Sequence, residues 1–181
     1  MKNRETTSLI ACPSQLYSFR GTNVFERTSI QEPHIIKGLH EQGFMGIEVP
    51  EKYGGAGMSF TAVLLMVEEL SKVDAAVAAG ADVHNTLVNN MFNFYANDAI
   101  KEKFLTRLAT DTVGSFCLTE PGSGSDAFSL ATKAQDLGKE GFRINGSKLW
   151  ITNAGDAEIF VVFANVDPSK GHKGILSLIH I

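Results

Sequence analysis

The stretch Ile100-Lys-Glu-Lys-Phe-Leu-Thr-Arg-Leu-Ala-Thr-Asp-Thr-Val-Gly-Ser-Phe-Cys-Leu118 changes its hydrophobic period part-way along. Ile100, Phe104 and Leu108 recur every four residues, the spacing of one helix face. After Thr110 the pattern alternates, and the chain becomes rich in β-branched and aromatic residues broken by Gly and Asn-Gly. The predicted architecture is therefore α+β. An all-α N-terminal domain occupies 28–111 and an antiparallel β-barrel or sandwich 112–181, with 1–27 left as an unassigned leader. Such a layout differs from alternating βα units.

On the helical side, a first helix is expected to start near Gln31 or Glu32 with Pro33 early in it, Ile35, Ile36, Leu39 and Phe44 as its apolar stripe, and Gly43 and Gly46 as its end. Val49 to Gly57 reads as loop. Ser59 is placed to cap a second helix that buries Phe60, Val63, Leu64, Val67 and Leu70. Asp74 caps a third through Val77, Val83, Leu87, Met91 and Phe94, and Asn97 or Asp98 opens the fourth. On the β side the candidate strands are 113–118, 129–135, 141–144, 148–152, 159–165 and 175–178. Asn145-Gly146 signals a two-residue hairpin joining the third and fourth of these, since a type I′ turn needs positive φ at both central positions.

Composition narrows the function classes. The chain is 44% hydrophobic and 20% charged, with a net charge of −4 and no concentrated basic face of the kind nucleic acid requires. Its most apolar run, Ile159 to Val166, is strand-length, so no membrane span is expected. Two cysteines, Cys12 and Cys117, argue against a disulfide framework, and the five histidines have no metal-ligand spacing and read as structural. Met1 to Arg27 mixes Ser, Thr and Arg with few acids, faintly like a mitochondrial presequence but without a clear basic amphipathic pattern.

Thr119-Glu-Pro-Gly-Ser-Gly-Ser-Asp126 follows a predicted strand, and its glycines let backbone N–H groups approach a ligand. It lacks the dinucleotide fingerprint and the Lys-Ser/Thr of a P-loop, so by itself it fits a Pro-Gly turn capped by Asp126 equally well. On an expected strand further on, Trp150 and Thr152 share a face. A flat aromatic beside a hydroxyl suits an isoalloxazine ring, although a Trp in a sandwich core is the plainer reading of that strand.

Together with Gly46-Ile-Glu-Val-Pro-Glu-Lys-Tyr-Gly-Gly-Ala-Gly57, Glu68-Glu-Leu-Ser-Lys-Val-Asp74 and Asn145-Gly-Ser-Lys148, these segments resemble the acyl-CoA dehydrogenase family from about Ile30 to Ser177. Gln42-Gly-Phe-Met-Gly-Ile-Glu48, Val113-Gly-Ser-Phe-Cys117 and Ala164-Asn-Val-Asp-Pro168 are most similar to its short/branched-chain members. The resemblance implies FAD as cofactor, with contacts from Phe116, Cys117, Leu118, Thr119, Gly124, Ser125, Trp150, Ile151 and Thr152. Ser125 would also meet the CoA of an acyl-CoA substrate, and Val83, His84 and Leu87 would wall the acyl tail. It further implies an electron-transferring flavoprotein as partner, a homotetramer, and a mitochondrial matrix location.

Family members continue into a C-terminal four-helix bundle that carries the catalytic carboxylate. No catalytic residue is therefore expected in these 181 positions, and Glu120, inside the flavin segment, is not taken as the base. The tail Gly174-Ile-Leu-Ser-Leu-Ile-His-Ile181 departs from the family pattern and resembles read-through of an incomplete transcript. On this basis the chain is expected to be poorly stable, inactive, and unable to keep FAD through gel filtration. Two other readings stay open: a non-catalytic flavin- or CoA-binding module, and a folded domain without a ligand.

Overall fold

A computed structural model describes residues 33–180; the leader 1–27, the expected helix start at Gln31 or Glu32, Cys12 and the side chain of His180 lie outside the described residues. The described chain forms two compact units. A helical unit comprises residues 33–116 with Thr152–Phe160, and a β unit comprises Cys117–Ile151 with Val161–His180. The helical unit thus takes in Thr152–Phe160, a stretch from within the region assigned to the β domain.

In the helical unit α1 is Pro33–Glu41, ended by Gly43 at φ 74, where a left-handed backbone favours glycine. Helix α2 is Phe60–Ser71, and Ser59 stands at its N-cap without making a side-chain cap bond. Residues 75–95 run on as α3, made of Ala75–Asp82, a π-helical stretch Val83–Asn89, and Asn90–Tyr95. Residues 98–110 form α4, with a π-helical stretch Lys101–Leu105 inside it. Caps were legible: the Asp74 carboxylate accepts from Ala76 N at 2.8 Å and Val77 N at 3.1 Å, and Asn97 Oδ1 accepts from Ile100 N at 3.0 Å. Asp74→Ala is expected to cost about 1 kcal/mol in urea unfolding followed by helix content.

The core of this unit gathers Leu39, Met45, Ile47, Val63, Met66, Val77, Ala81 and Val113, with Ala157 packed against it. Two expected faces need correction. Phe60 and Leu64 of α2 are exposed, and the buried stripe is Val63 and Met66 with Val67 and Leu70 partly buried. The helix is apolar nearly all round, so spacing could not choose between adjacent faces. In α3, Leu87 and Phe94 are exposed, while His84, Val88 and Phe92 are buried. The buried line Val77, Ala81, His84, Val88 and Phe92 keeps ordinary helical spacing and runs one residue along from the expected Val83, Leu87 and Met91.

Polar side chains on that displaced face repay their burial with specific bonds. Asn85 Nδ2 donates to the carbonyls of Phe44 (2.7 Å) and Ala81 (2.9 Å), and its Oδ1 accepts from Ile47 N at 3.1 Å. Asn89 Nδ2 donates to the Met45 carbonyl at 2.8 Å. Two turns of α3 thereby hold the Phe44–Ile47 loop by its backbone.

The strands are β1 Gly114–Cys117, β2 Lys133–Asp136, β3 Phe142–Asn145, β4 Ile159–Asn165 and β5 Ile175–His180. They form a sheet of order β1-β4-β2-β3, with β5 also pairing β4. The helical-then-β layout is the expected one, but the sheet is mixed and not purely antiparallel, because β2 pairs β4 in parallel at Lys133 and Asn165. The expected hairpin is misplaced as well. Antiparallel pairing joins β2 to β3, from Lys133 with Asn145 to Asp136 with Phe142, across a turn in which Gly138 (φ 62) and Gly141 (φ 90) supply the positive φ values. Residues 148–152 form no strand.

Candidate cofactor site

Within the β unit, the glycine loop opens on a tight turn in which Glu120 N donates to the Ser123 carbonyl at 3.0 Å and Ser123 N to the Glu120 carbonyl at 3.1 Å. Ser123 Oγ donates to the Asp126 carbonyl at 2.8 Å, and Ser129 Oγ makes a very short bond to the Asp126 carboxylate. The Asp126 main chain thus ties down Ser123, while its carboxylate engages Ser129 and not the Pro121-Gly122 turn. Gly122, Gly124 and Ser125 are exposed. Neither glycine has positive φ, and a Cβ added at either would meet nothing within 4 Å. Backbone conformation and internal packing do not demand glycine there; close approach of a ligand is the remaining physical use.

The two sequence motifs come together in this unit. Leu149 N donates to the Thr119 carbonyl at 2.9 Å, while Lys148 Nζ donates to the Leu118 carbonyl at 2.9 Å and to Glu120 Oε1 at 2.8 Å. Glu120 also accepts from Ala131 N at 2.6 Å and Thr132 N at 3.0 Å. Burial alone would raise the pKa of this carboxyl; Lys148 and the two backbone N–H groups outweigh it and hold the group below its ordinary value. Glu120 is a buried, fully engaged anion and cannot serve as a mobile base. Cys117 is buried, and burial pushes its thiol up to about 12, against the opposing pull of Lys148, so it offers main chain and not a nucleophile.

Trp150 departs from the expected strand geometry. Its φ is 57, and its side chain is 67% exposed, so it is neither on a strand nor in a core. A bulky residue in the left-handed region carries a conformational cost that such positions bear mainly at functional sites. Leu118, Thr119 and Ile151 are half-buried beside this loop. Face-sharing of Trp150 with Thr152 by strand alternation does not hold.

In the helical unit, Thr152 has an exposed side chain, and its carbonyl accepts from the buried Ser115 Oγ at 2.9 Å. Asn153 at φ 64 follows it and donates to the Gly80 carbonyl at 3.0 Å. Phe116 and Val83 are half-buried and Leu87 is exposed. His84, named with them as a tail-lining residue, has 0% exposure. Gly114 N donates to its Nδ1 at 3.1 Å and Nε2 lies 2.9 Å from the Leu108 carbonyl, so the ring is neutral with its proton on Nε2. It is a structural histidine, the reading its spacing suggested. Burial lowers its pKa to about 4, helped by His40 and resisted by the backbone bonds to Leu108 and Met45.

Sequence reasoning passed over Lys148 and Ser115 as site-building residues. The first stood only as a letter of the Asn145-Gly-Ser-Lys148 motif, and a lysine with 2% exposure has no signal in periodicity. Among the described residues, no helix is long and apolar enough to cross a membrane, and no three His, Cys, Asp or Glu side chains gather as a metal site.

The family model for the acyl-CoA dehydrogenase N-terminal domain matches residues 22–112, and that for the middle domain matches residues 115–180. The chain is 51% identical over 156 residues to a probable short/branched chain specific acyl-CoA dehydrogenase of Dictyostelium discoideum, covering 86% of this chain and 38% of the relative. It is 48% identical over 153 residues to the mitochondrial short/branched chain specific acyl-CoA dehydrogenase of Rattus norvegicus, covering 84% and 35%. A solved acyl-CoA dehydrogenase of Bacillus anthracis, complexed with FAD, superposes with a TM-score of 0.71 at 34% identity, covering 81% of this chain and 25% of the other. The chain thus spans little more than a third of the length of these curated relatives.

Proposed function

From membership of the acyl-CoA dehydrogenase family, to which this chain belongs, we infer that it serves FAD-dependent α,β-dehydrogenation of short or branched-chain acyl-CoA thioesters. The observation that carries the reading is the tie between Leu118–Glu120, which lead into the open Gly122–Ser125 loop, and Lys148–Leu149, which lead into the exposed, left-handed Trp150. Bound FAD supplies a hydride acceptor. In the β unit, the main chain of Cys117 and Leu118 and the hydroxyl of Thr119 would hold the pyrimidine edge, and Trp150 and Ile151 would pack by the ring system. Gly124 lets the backbone approach, and Ser125 holds FAD and the CoA portion of the substrate. In the helical unit, Phe116 and Thr152 would carry further flavin contacts, the Thr152 hydroxyl as a hydrogen-bonding group near N5, and Val83 and Leu87 would line the acyl tail, while the fully buried His84 keeps its structural role.

Glu120 is fixed by Lys148 and does not serve as the carboxylate that removes the α-proton; that base is assigned, by family resemblance, to the C-terminal bundle. An electron-transferring flavoprotein reoxidises the cofactor, and the protein works as a homotetramer. We place it in the mitochondrial matrix by family resemblance; the name of the rat relative supports the mitochondrion.

The test has two arms. Added FAD is expected to bind the chain weakly and saturably, read by flavin fluorescence, and Trp150→Ala is expected to weaken that binding. The chain alone is expected to give no dye reduction with 2-methylbutyryl-CoA, whereas a chimera completed with the remainder of the Dictyostelium relative is expected to turn over. Turnover by the chain alone would overturn the placement of the base. A chimera that binds FAD but never turns over favours the binding-module reading.

A further inference from the structure

The Glu120–Lys148 pair is buried to 4% and 2% exposure and has no assigned role in flavin contact. Around it three segments meet: Leu118–Glu120 through Lys148 Nζ and Leu149 N, residues 131–132 through the Glu120 carboxylate, and residues 148–149 themselves. A buried ion pair contributes little net stability over apolar side chains of similar volume, so stability does not account for placing two charges here. What the pair supplies is direction. A peptide unit is planar and trans, so the Leu118 carbonyl and the Thr119 N–H point opposite ways. Drawing that carbonyl onto Lys148 Nζ at 2.9 Å turns the Thr119 N–H away from the buried pair. A charge-assisted bond holds that orientation more firmly than a neutral one.

We propose, resting on the flavin reading above, that the Glu120–Lys148 pair is a positioning device that presents the Leu118–Thr119 peptide as a hydrogen-bond donor to the cofactor's pyrimidine edge. Neither side chain touches the cofactor. Lys148 fixes the carbonyl, and Glu120, anchored on the backbone of Ala131 and Thr132, fixes Lys148.

The experiment separates positioning from stability in the full chain. Lys148→Met strands a buried carboxylate and is expected to lower both the unfolding midpoint and FAD affinity. Glu120→Gln with Lys148→Met removes both charges and is expected to recover most of the midpoint, with FAD affinity still about tenfold or more weaker and the flavin absorption band shifted. A double variant with unaltered FAD affinity and band position would overturn the proposal. Should neither variant fold, the unaltered chain still decides: the Thr119 amide resonance is expected to move downfield at saturating FAD, and an unmoved resonance sinks the proposal. If the unaltered chain shows no saturable FAD binding, the flavin reading falls first and takes this one with it.

Discussion

Gly146→Ala is expected to destabilise the β unit by roughly 3 kcal/mol, the upper part of the range for overpacking a filled site. A Cβ at this position would lie 2.3 Å from Thr132 Oγ1 and 2.7 Å from Thr132 Cα. The second contact is backbone, and it cannot swing aside. Thr132 N is bonded to Glu120 and the Thr132 carbonyl accepts from Asn165 N at 2.8 Å, so its segment is tied on both sides. The strain must then move residues 146–149 away from Leu118–Glu120. Gly124→Ala is the matched control: it meets nothing and has no positive φ, so its unfolding free energy is expected to stay within about 0.5 kcal/mol while FAD binding weakens. Urea unfolding and a flavin titration on both variants check this. A Gly124→Ala variant with unaltered FAD binding would remove the loop from the site.

This contrast also explains what the sequence concealed. Asn145-Gly146 carried the strongest hairpin signal in the chain, yet Gly146 is glycine because of Thr132, a residue 14 positions away in sequence. A turn dipeptide and a close-packing glycine are the same two letters. The hairpin that does form uses Gly138 and Gly141, and it pairs β2 with β3. Trp150 is hidden in the same way: alternation predicts a strand residue, whereas Trp150 has a left-handed φ and the two residues before it are bonded to Leu118 and Thr119. Those bonds are long-range, and local pattern does not see them.

What was legible has local causes. The Asp74 and Asn97 caps satisfy N–H groups two and three residues on, so their type and place are encoded within one turn. The change of period after Thr110 located the passage from α4 to β1. Individual helix faces were less legible, because α2 is apolar on more than one side and the buried face of α3 carries polar side chains. His84, Asn85 and Asn89 lie inward, where hydropathy would not place them. The segments proposed for the flavin rest on resemblance, and the Glu120–Lys148 brace between them is visible only in the geometry.

Lowering the pH from 6.5 to 4 is expected to cost the helical unit about 3 kcal/mol through His84 alone. In the unfolded chain this imidazole titrates near its ordinary value of about 6.5, whereas burial brings it to about 4 in the fold. Between those values the unfolded state holds a proton that the native state does not, so stability falls as pH falls, by about 1.4 kcal/mol per unit. Protonation would also abolish the Nδ1 acceptor of Gly114 N–H, where α3 meets the start of β1. The carboxyl of Glu120, held below its ordinary value, also loses stabilisation in acid, beginning near the ordinary carboxylate value at the lower end of this window and continuing beneath it. His84→Gln keeps an acceptor and a donor without a titrating ring; it is expected to be less stable at pH 7 yet nearly flat between pH 6.5 and 5. Urea unfolding at pH 7, 6 and 5, followed by helix content, reads the slope. An unchanged slope in His84→Gln would overturn the assignment of the pH dependence to His84.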